Sequence, residues 1–233
     1  MTNLILEFGS NAYPFTKGKL YRMLYETARA GAWGAKVQLF KAEHFPAKEQ
    51  DAKRELEFPR DRYSWFVMQA HGLGIHAGAS VFDEDACKLV SDAGSDFLKL
   101  ATREQYNTEL RLAAQGAYGG TIIRSVEFSR LTDTQKRLPD RMRREIIMAC
   151  MPYYPASYGR REALQQIMVA LRLANSKVPW GWSSHTMHVK DCENAAYAGA
   201  SVIEKHIDLD MNGPEAGWSV DFKTIAKLVE AIK

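Results

Sequence analysis

The sequence predicts an α/β protein built as a closed (β/α)8 barrel, a TIM barrel, and three observations carry that reading. Eight short apolar runs recur along 233 residues, each followed by a stretch of helical period. The runs are mostly unbroken rather than alternating, as in strands covered on both faces of a parallel sheet. The turn after the first run, Glu7-Phe8-Gly9-Ser10-Asn11-Ala12, holds one glycine and lacks the glycine-rich spacing that an open dinucleotide-binding sheet carries there. Eight units leave about 29 residues each, near the minimum for a fold that typically uses about 250 in all.

The first run, Leu4 to Leu6, precedes an amphipathic helix from Lys17 to Ala30, with Leu20, Met23, Leu24 and Ala28 on one stripe and Thr16 as N-cap. The second, Ala35 to Phe40, leads into Lys48 to Arg60, a charged stretch expected to be a solvated loop, and then a helix from Asp61 to His71. The third, Ile75 to Val81, is followed by a helix from Glu84 to Ala93 that Asp83 should cap. Phe97 to Ala101 pairs with a helix from Arg103 to Ala114, and Thr121 to Ser125 with one from Thr134 to Arg143. Ile146 to Cys150 precedes a helix from Arg160 to Ala174, striped by Leu164, Ile167, Met168 and Leu171. Val178 to Trp182 and Ser201 to Ile207 complete the set, with helices from Lys190 to Ala198 and Phe222 to Ile232. No low-complexity linker divides the chain, so residues 1–233 read as one barrel.

Composition narrows the function. An apolar fraction of 46% is ample for a large core and excludes a short peptide scaffold. Thirty-one basic against twenty-eight acidic residues, mixed along the chain, argue against a nucleic-acid partner, which usually shows a basic stripe. Cys87, Cys150 and Cys192 are odd in number and far apart, so neither a disulfide framework nor a structural zinc site is indicated. No apolar run approaches the roughly 20 residues that span a bilayer, and the N-terminus lacks a signal-peptide pattern. The expectation is a cytoplasmic protein with small-molecule partners and no membrane.

In a barrel of this kind the site lies at the C-terminal ends of the strands. The residues there are unusually polar: Glu7, Lys36, Gln38, Ser80, Lys99 with Thr102 and Glu104, Ser125, Tyr154, Ser183 with His185, and Glu204 with His206. Lys36, Lys99 and Glu204 do not belong in strands buried on both faces unless they meet a polar site, because an unpaired buried charge is strongly unfavourable. Either an anion sits between the lysines or each pairs with a carboxylate inside the barrel. His185 and His206 are 21 residues apart, one strand-helix step, so both should project into the same mouth. Neutral imidazoles there suit a divalent Mn, Fe or Zn ion. His44, His71, His76 and His188 read as ordinary structural residues. Glu7 admits a role as an orienting group, and Glu104 one as a first-turn helix carboxylate.

These motifs resemble the sialic acid synthase family, the phosphoenolpyruvate-dependent N-acetylneuraminate, legionaminate and pseudaminate synthases. Leu6 to Asn11 looks like the family's Ala-Glu-Ile-Gly-x-Asn, and Lys36 to Glu43 its Lys-Phe-Gln-Thr-Phe-Lys-Ala-Glu. Lys99 to Glu104 resembles Lys-Ile-Ala-Ser-Gly-Glu, Cys150 to Pro155 resembles Cys-x-x-x-Tyr-Pro, and Gly181 to Thr186 resembles Gly-Tyr-Ser-Asp-His-Thr. Gly199 to His206 is nearly the family's sequence verbatim.

The resemblance implies a metal-assisted aldol-type condensation of phosphoenolpyruvate with the aldehyde of an open-chain aldose or N-acetyl amino sugar, releasing phosphate and giving a 2-keto sugar acid. It implies a divalent metal on His185 and His206, Mn2+ foremost with Mg2+ or Co2+ as alternatives. Lys36, Lys99, Thr102, Ser125 and Ser183 would hold phosphoenolpyruvate, with Gln38 and Ser80 in the same substrate site. Glu7, Glu104 and Tyr154 would serve the chemistry, and Glu215 would stand where the family has a sugar-binding Asp. A homodimer is implied as well. The sequence departs from the pattern at Ser184, where the family has Asp, at Arg103, where it has Gly, and at Val126-Glu127, where it has Thr-Gly. It also stops at Lys233, so the expected fold is the compact barrel without the family's C-terminal antifreeze-like domain. Two rival readings use the same site: a metal-dependent lyase or isomerase acting on a phosphorylated sugar, and a non-catalytic subunit that needs a separate antifreeze-like partner.

Overall fold

A computed structural model describes residues 2–127, 145–157, 159 and 179–233. Eight parallel strands close into a barrel in sequence order, β8 pairing back onto β1. They are β1 (Asn3–Glu7), β2 (Gly34–Leu39), β3 (His76–Val81), β4 (Phe97–Leu100), β5 (Thr121–Glu127), β6 (Glu145–Cys150), β7 (Trp180–Ser184) and β8 (Val202–His206). The described helices are α1 (Lys17–Arg29), α2 (Ala47–Arg54), α3 (Tyr63–Gly72), α4 (Glu84–Asp92), α5 (Thr108–Ala117), α6 (Lys190–Tyr197) and α7 (Phe222–Ile232). The expected barrel is the fold observed. The helices expected at Thr134 to Arg143 and Arg160 to Ala174, and Val178 of the seventh run, lie outside the described residues.

The caps act as read: Thr16 accepts from the Lys19 N–H at 3.2 Å and Asp83 from the Ala86 N–H at 2.7 Å. Several boundaries differ from expectation. The stretch Lys48 to Arg60 is not simply a loop, because Ala47–Arg54 forms α2 and Arg60–Arg62 a 3-10 turn. Helix α2 buries no side chain, so it has no apolar stripe to be read; its Ala, Lys, Glu and Gln residues are good helix formers by intrinsic propensity. Helix α5 begins at Thr108 rather than near Arg103, since the Asn107 side chain accepts from the Leu110 N–H at 3.0 Å and sets the start there. Strand β5 runs on to Glu127, and β7 spans Trp180–Ser184.

Side chains alternate across each strand, so every second residue points into the barrel. The outward set, including Leu4, Leu6, Val37, Leu98, Ile147, Trp182 and Ile203, packs with Leu20, Met23, Phe66 and Val90 of the surrounding helices. The inward set begins at the bottom with an apolar layer of Ile5, Phe97, Ile123, Met148 and Val202. Above it the interior turns polar. Glu7 is in register with both Lys36 and His206, Ser80 with Lys99, and Ser183 with Glu204. A barrel interior is normally filled by packed apolar layers, so this one gives up its upper layers to charge.

Candidate active site

The polar layers open into a cavity of about 580 Å³ at the C-terminal strand ends, within the range of small-molecule sites. Of the expected site residues, Glu7, Gln38, Ser80, Lys99, Thr102, Tyr154, His185, His206 and Glu215 line it. Lys36, Ser125 and Ser183 lie beneath the surface, each no more than 1% exposed. Glu104 is the outlier. It lies in a 3-10 turn (Thr102–Glu104), ion-paired with Arg103 at 3.2 Å and accepting from Asn107, and the structure does not bring it into the cavity lining.

The two lysines are paired from within. Lys99 Nζ donates to Glu204 Oε1 at 2.7 Å, and Lys36 lies 3.3 Å from Glu204 Oε2 while also donating to Glu7 and, at 2.8 Å, to Ser80 Oγ. Ser183 Oγ adds a 2.8 Å hydrogen bond to Glu204 Oε1. The anion between the lysines is therefore the Glu204 carboxylate itself. Burial is the largest influence on Glu204 and opposes its charge, yet Lys36 and Lys99 outweigh it and hold the carboxyl below its ordinary value. Burial likewise pulls Lys36 down, but Glu204 and Glu7 together raise it above the usual lysine range.

His185, Glu204 and His206 each offer a ligand atom, and these atoms lie within 4.8 Å of one another. Each imidazole is held by its Nδ1. His185 Nδ1 lies 2.9 Å from the Met151 carbonyl, which can only accept, so Nδ1 carries the proton and Nε2 keeps a lone pair. His206 Nδ1 is 2.8 Å from Glu215 Oε2. Glu215 is itself anchored, accepting from the Ser10 N–H at 3.2 Å and donating its own N–H to Asn11 Oδ1 at 2.7 Å. Gly9, at φ +47°, makes room for it, because a Cβ there would clash with the Glu215 carboxylate. Orienting partners on Nδ1 of this kind are the usual support of metal-binding imidazoles. One further atom points the same way. Glu204 Oε2 is buried and, among the described residues, is met by the Lys36 ammonium at 3.3 Å but accepts no well-formed hydrogen bond, so two Nε2 atoms and a carboxylate converge in a set that fits a divalent cation.

Burial first, and then the neighbouring His206, hold His185 well below the ordinary imidazole range. It therefore stays neutral in the fold where the unfolded chain protonates near pH 6.5. Unfolded chains then bind a proton that folded ones refuse, so stability falls as pH drops below that value. Urea unfolding of the metal-free protein should show a loss of about 1 kcal/mol between about pH 6.5 and about pH 5.5, absent in His185→Asn. An equal loss in the variant would place the effect elsewhere.

Sequence reading noted Glu204 as a buried strand charge but gave it no place at the metal. The signal was there, since Glu204 and His206 are two apart on one strand and so share a face. It expected Glu215 at the acceptor; Glu215 does line the cavity, and its hydrogen bond to His206 Nδ1 was not foreseen. The aromatic rim is Tyr154, whose ring centroid is 4.2 Å from that of His185, with Trp218 5.3 Å from Tyr154. Among the described residues no helix is long and apolar enough to cross a membrane.

Comparison with known proteins agrees with the barrel fold. The family model described as NeuB family matches residues 23–233. An N-acetylneuraminate-9-phosphate synthase of Drosophila melanogaster is 25% identical over 187 residues, which cover 77% of this chain and 49% of the relative. An N,N'-diacetyllegionaminic acid synthase of Legionella pneumophila is 25% identical over 244 residues, covering 91% of this chain and 66% of the relative. The chain thus spans about half to two thirds of the length of these curated relatives. Among solved structures, an N-acetylneuraminic acid synthetase from Leptospira borgpetersenii superimposes with a TM-score of 0.86 at 24% identity, over 99% of this chain and 82% of that one. A truncated 3-deoxy-D-arabino-heptulosonate 7-phosphate synthase from Thermotoga maritima shares the fold at a TM-score of 0.74 and 13% identity, over 98% of this chain and 84% of that one.

Proposed function

The chain belongs to the NeuB family, and from that premise we propose that it is a phosphoenolpyruvate-dependent sugar-acid synthase, a transferase that forms a carbon–carbon bond. One observation carries the reading: a cavity with buried ammonium groups at its base and an oriented imidazole pair, joined by Glu204, at its wall.

In the proposed reaction the enol carbon of phosphoenolpyruvate bonds to the aldehyde carbon of an open-chain aldose or N-acetyl amino sugar, whose oxygen takes up a proton to become a hydroxyl. Water adds at the adjacent carbon, one of its protons offsetting the one taken up by the aldehyde oxygen; the C–O bond to phosphate then breaks, and the remaining hydroxyl proton leaves with the phosphate as that carbon becomes the ketone. A divalent ion on His185 and His206, with Mn2+ the foremost candidate, supplies Lewis acidity toward the aldehyde oxygen when bound. Lys99, Thr102, Ser80 and Gln38 line the region suited to the phosphate and carboxylate of phosphoenolpyruvate. Lys36 adds positive potential from below, and Ser125 contributes a buried hydroxyl that has no hydrogen-bond partner among the described residues. Glu7 lines the cavity with Lys36 as its ion-pair partner, which supports a role for its carboxylate in taking a proton of the attacking water. Tyr154 lies beside His185 and offers a phenol to the acceptor. Because two reactants must meet in line, positioning carries much of the acceleration.

The test is direct. Purified protein is incubated with Mn2+, phosphoenolpyruvate and a panel of aldoses and N-acetylhexosamines, and phosphate release is followed. Release that depends on one aldehyde is the expected result. No aldehyde-dependent release, or turnover of a phosphorylated sugar without phosphoenolpyruvate, would overturn the proposal.

A further inference from the structure

We infer that Lys205 is a positioning residue for the two-histidine centre, a buried ammonium that ties the loop carrying His185 to the loop that orients His206. The inference rests on the metal-site reading above. Lys205 stands between Glu204 and His206 in β8 but faces the other way. Inward-pointing Val202 belongs to the layer inside the barrel and outward-pointing Ile203 to the layer beneath the helices, so position 205 points outward. Its cross-strand neighbour is Ser184.

The side chain is wholly buried, and its ammonium has three acceptors. It donates to the Thr186 carbonyl, to Ser184 Oγ at 3.2 Å and to the Trp218 carbonyl at 3.4 Å. Ser184 and Thr186 are the two neighbours of His185. Trp218 closes the turn that begins at Glu215, its N–H donating to the Glu215 carbonyl at 3.2 Å, and Glu215 is the group that orients His206. One ammonium therefore bonds to both segments that fix the imidazoles.

The same atoms show why this is more than filling space. Among the described residues no carboxylate forms an ion pair with Lys205. The nearby Asp191 carboxylate is wholly buried and accepts from Trp182 Nε1 at 2.9 Å and Thr186 Oγ1 at 3.1 Å, so it steadies the residue that accepts from Lys205. A buried ammonium bonded mainly to neutral acceptors is costly, and an apolar side chain of similar length would pack without that cost. What the ammonium adds is direction, since its acceptors must converge on one point. Binding sites lose affinity when their ligands are loosened by a fraction of an ångström.

The test measures Mn2+ affinity by titration calorimetry and the visible absorption of the Co2+-loaded protein, for wild type, Lys205→Met, Ser184→Ala and His185→Ala, well below each melting temperature. Lys205→Met is expected to fold by circular dichroism yet bind Mn2+ about 10- to 100-fold more weakly, the usual effect of losing an orienting partner, with a shifted Co2+ spectrum. Ser184→Ala removes one acceptor and should weaken binding roughly threefold to tenfold, in line with one hydrogen bond; it decides the matter if Lys205→Met does not fold. His185→Ala should lose tight binding altogether. Wild-type affinity in His185→Ala overturns the metal centre and this inference together. Loss of binding there, with unchanged affinity and spectrum in the folded Lys205 or Ser184 variant, overturns the inference alone.

Discussion

Alanine at His185 or His206 is expected to abolish tight binding of Mn2+ while leaving the barrel folded. The two rings are nearly inaccessible, 3% and 4% exposed, and their centroids are 5.2 Å apart. Each spends its Nδ1 on an orienting hydrogen bond, which leaves Nε2 as the donor for a cation. Removing an orienting partner typically weakens a metal about 10- to 100-fold; removing the donor atom itself should exceed that range. Glu215→Ala provides the internal comparison, because it leaves both donors and only frees His206 Nδ1, so its loss should stay within that range. Metal content after dialysis and the calorimetric Kd measure the effect, with circular dichroism reporting the fold. Unchanged metal content in the double variant His185→Ala/His206→Ala would remove the assignment, and with it the Lewis-acid role in the proposed reaction.

The histidine pair was legible because a single strand-helix period separates the two residues and a barrel sends matched strand ends to one mouth. The strands were legible for a similar reason: burial on both faces leaves unbroken apolar runs. Where burial is absent the sequence falls silent. Helix α2 buries no side chain of its own and so shows no stripe, and the start of α5 turns on one Asn107 hydrogen bond rather than on periodicity. The pairing of Lys99 with Glu204 was hidden for a different reason. The residues are 105 positions apart, and β4 and β8 lie on opposite sides of the barrel, four strands away in either direction. No local pattern reports a contact made across the barrel axis; only closure brings it about. The hydrogen bond from Glu215 to His206 was not legible, because it depends on the Gly9 to Asn11 turn, which receives Glu215 from the far end of the chain.

That cross-barrel contact sets the largest stability effect. Glu204→Gln keeps the shape of the side chain and removes its charge, leaving Lys99 without its carboxylate and Lys36 with Glu7 alone. Removing one member of a buried ion pair costs about 3–5 kcal/mol, because the partner charge remains in a poor solvent. At about 2–4 °C per kcal/mol for a chain of this size, the melting temperature should fall by roughly 6–20 °C. The cause can be separated from lost packing. Once Lys99→Met is made, Glu204 no longer neutralises that ammonium, so the second substitution costs less. The double variant Lys99→Met/Glu204→Gln should then be more stable than the sum of the single losses allows, by about 1 kcal/mol or more. Additive losses would mean that the carboxylate stabilises the barrel through Ser183 and its shape alone. A coupled result would identify Glu204 as the counter-charge that lets two lysine side chains sit inside the barrel.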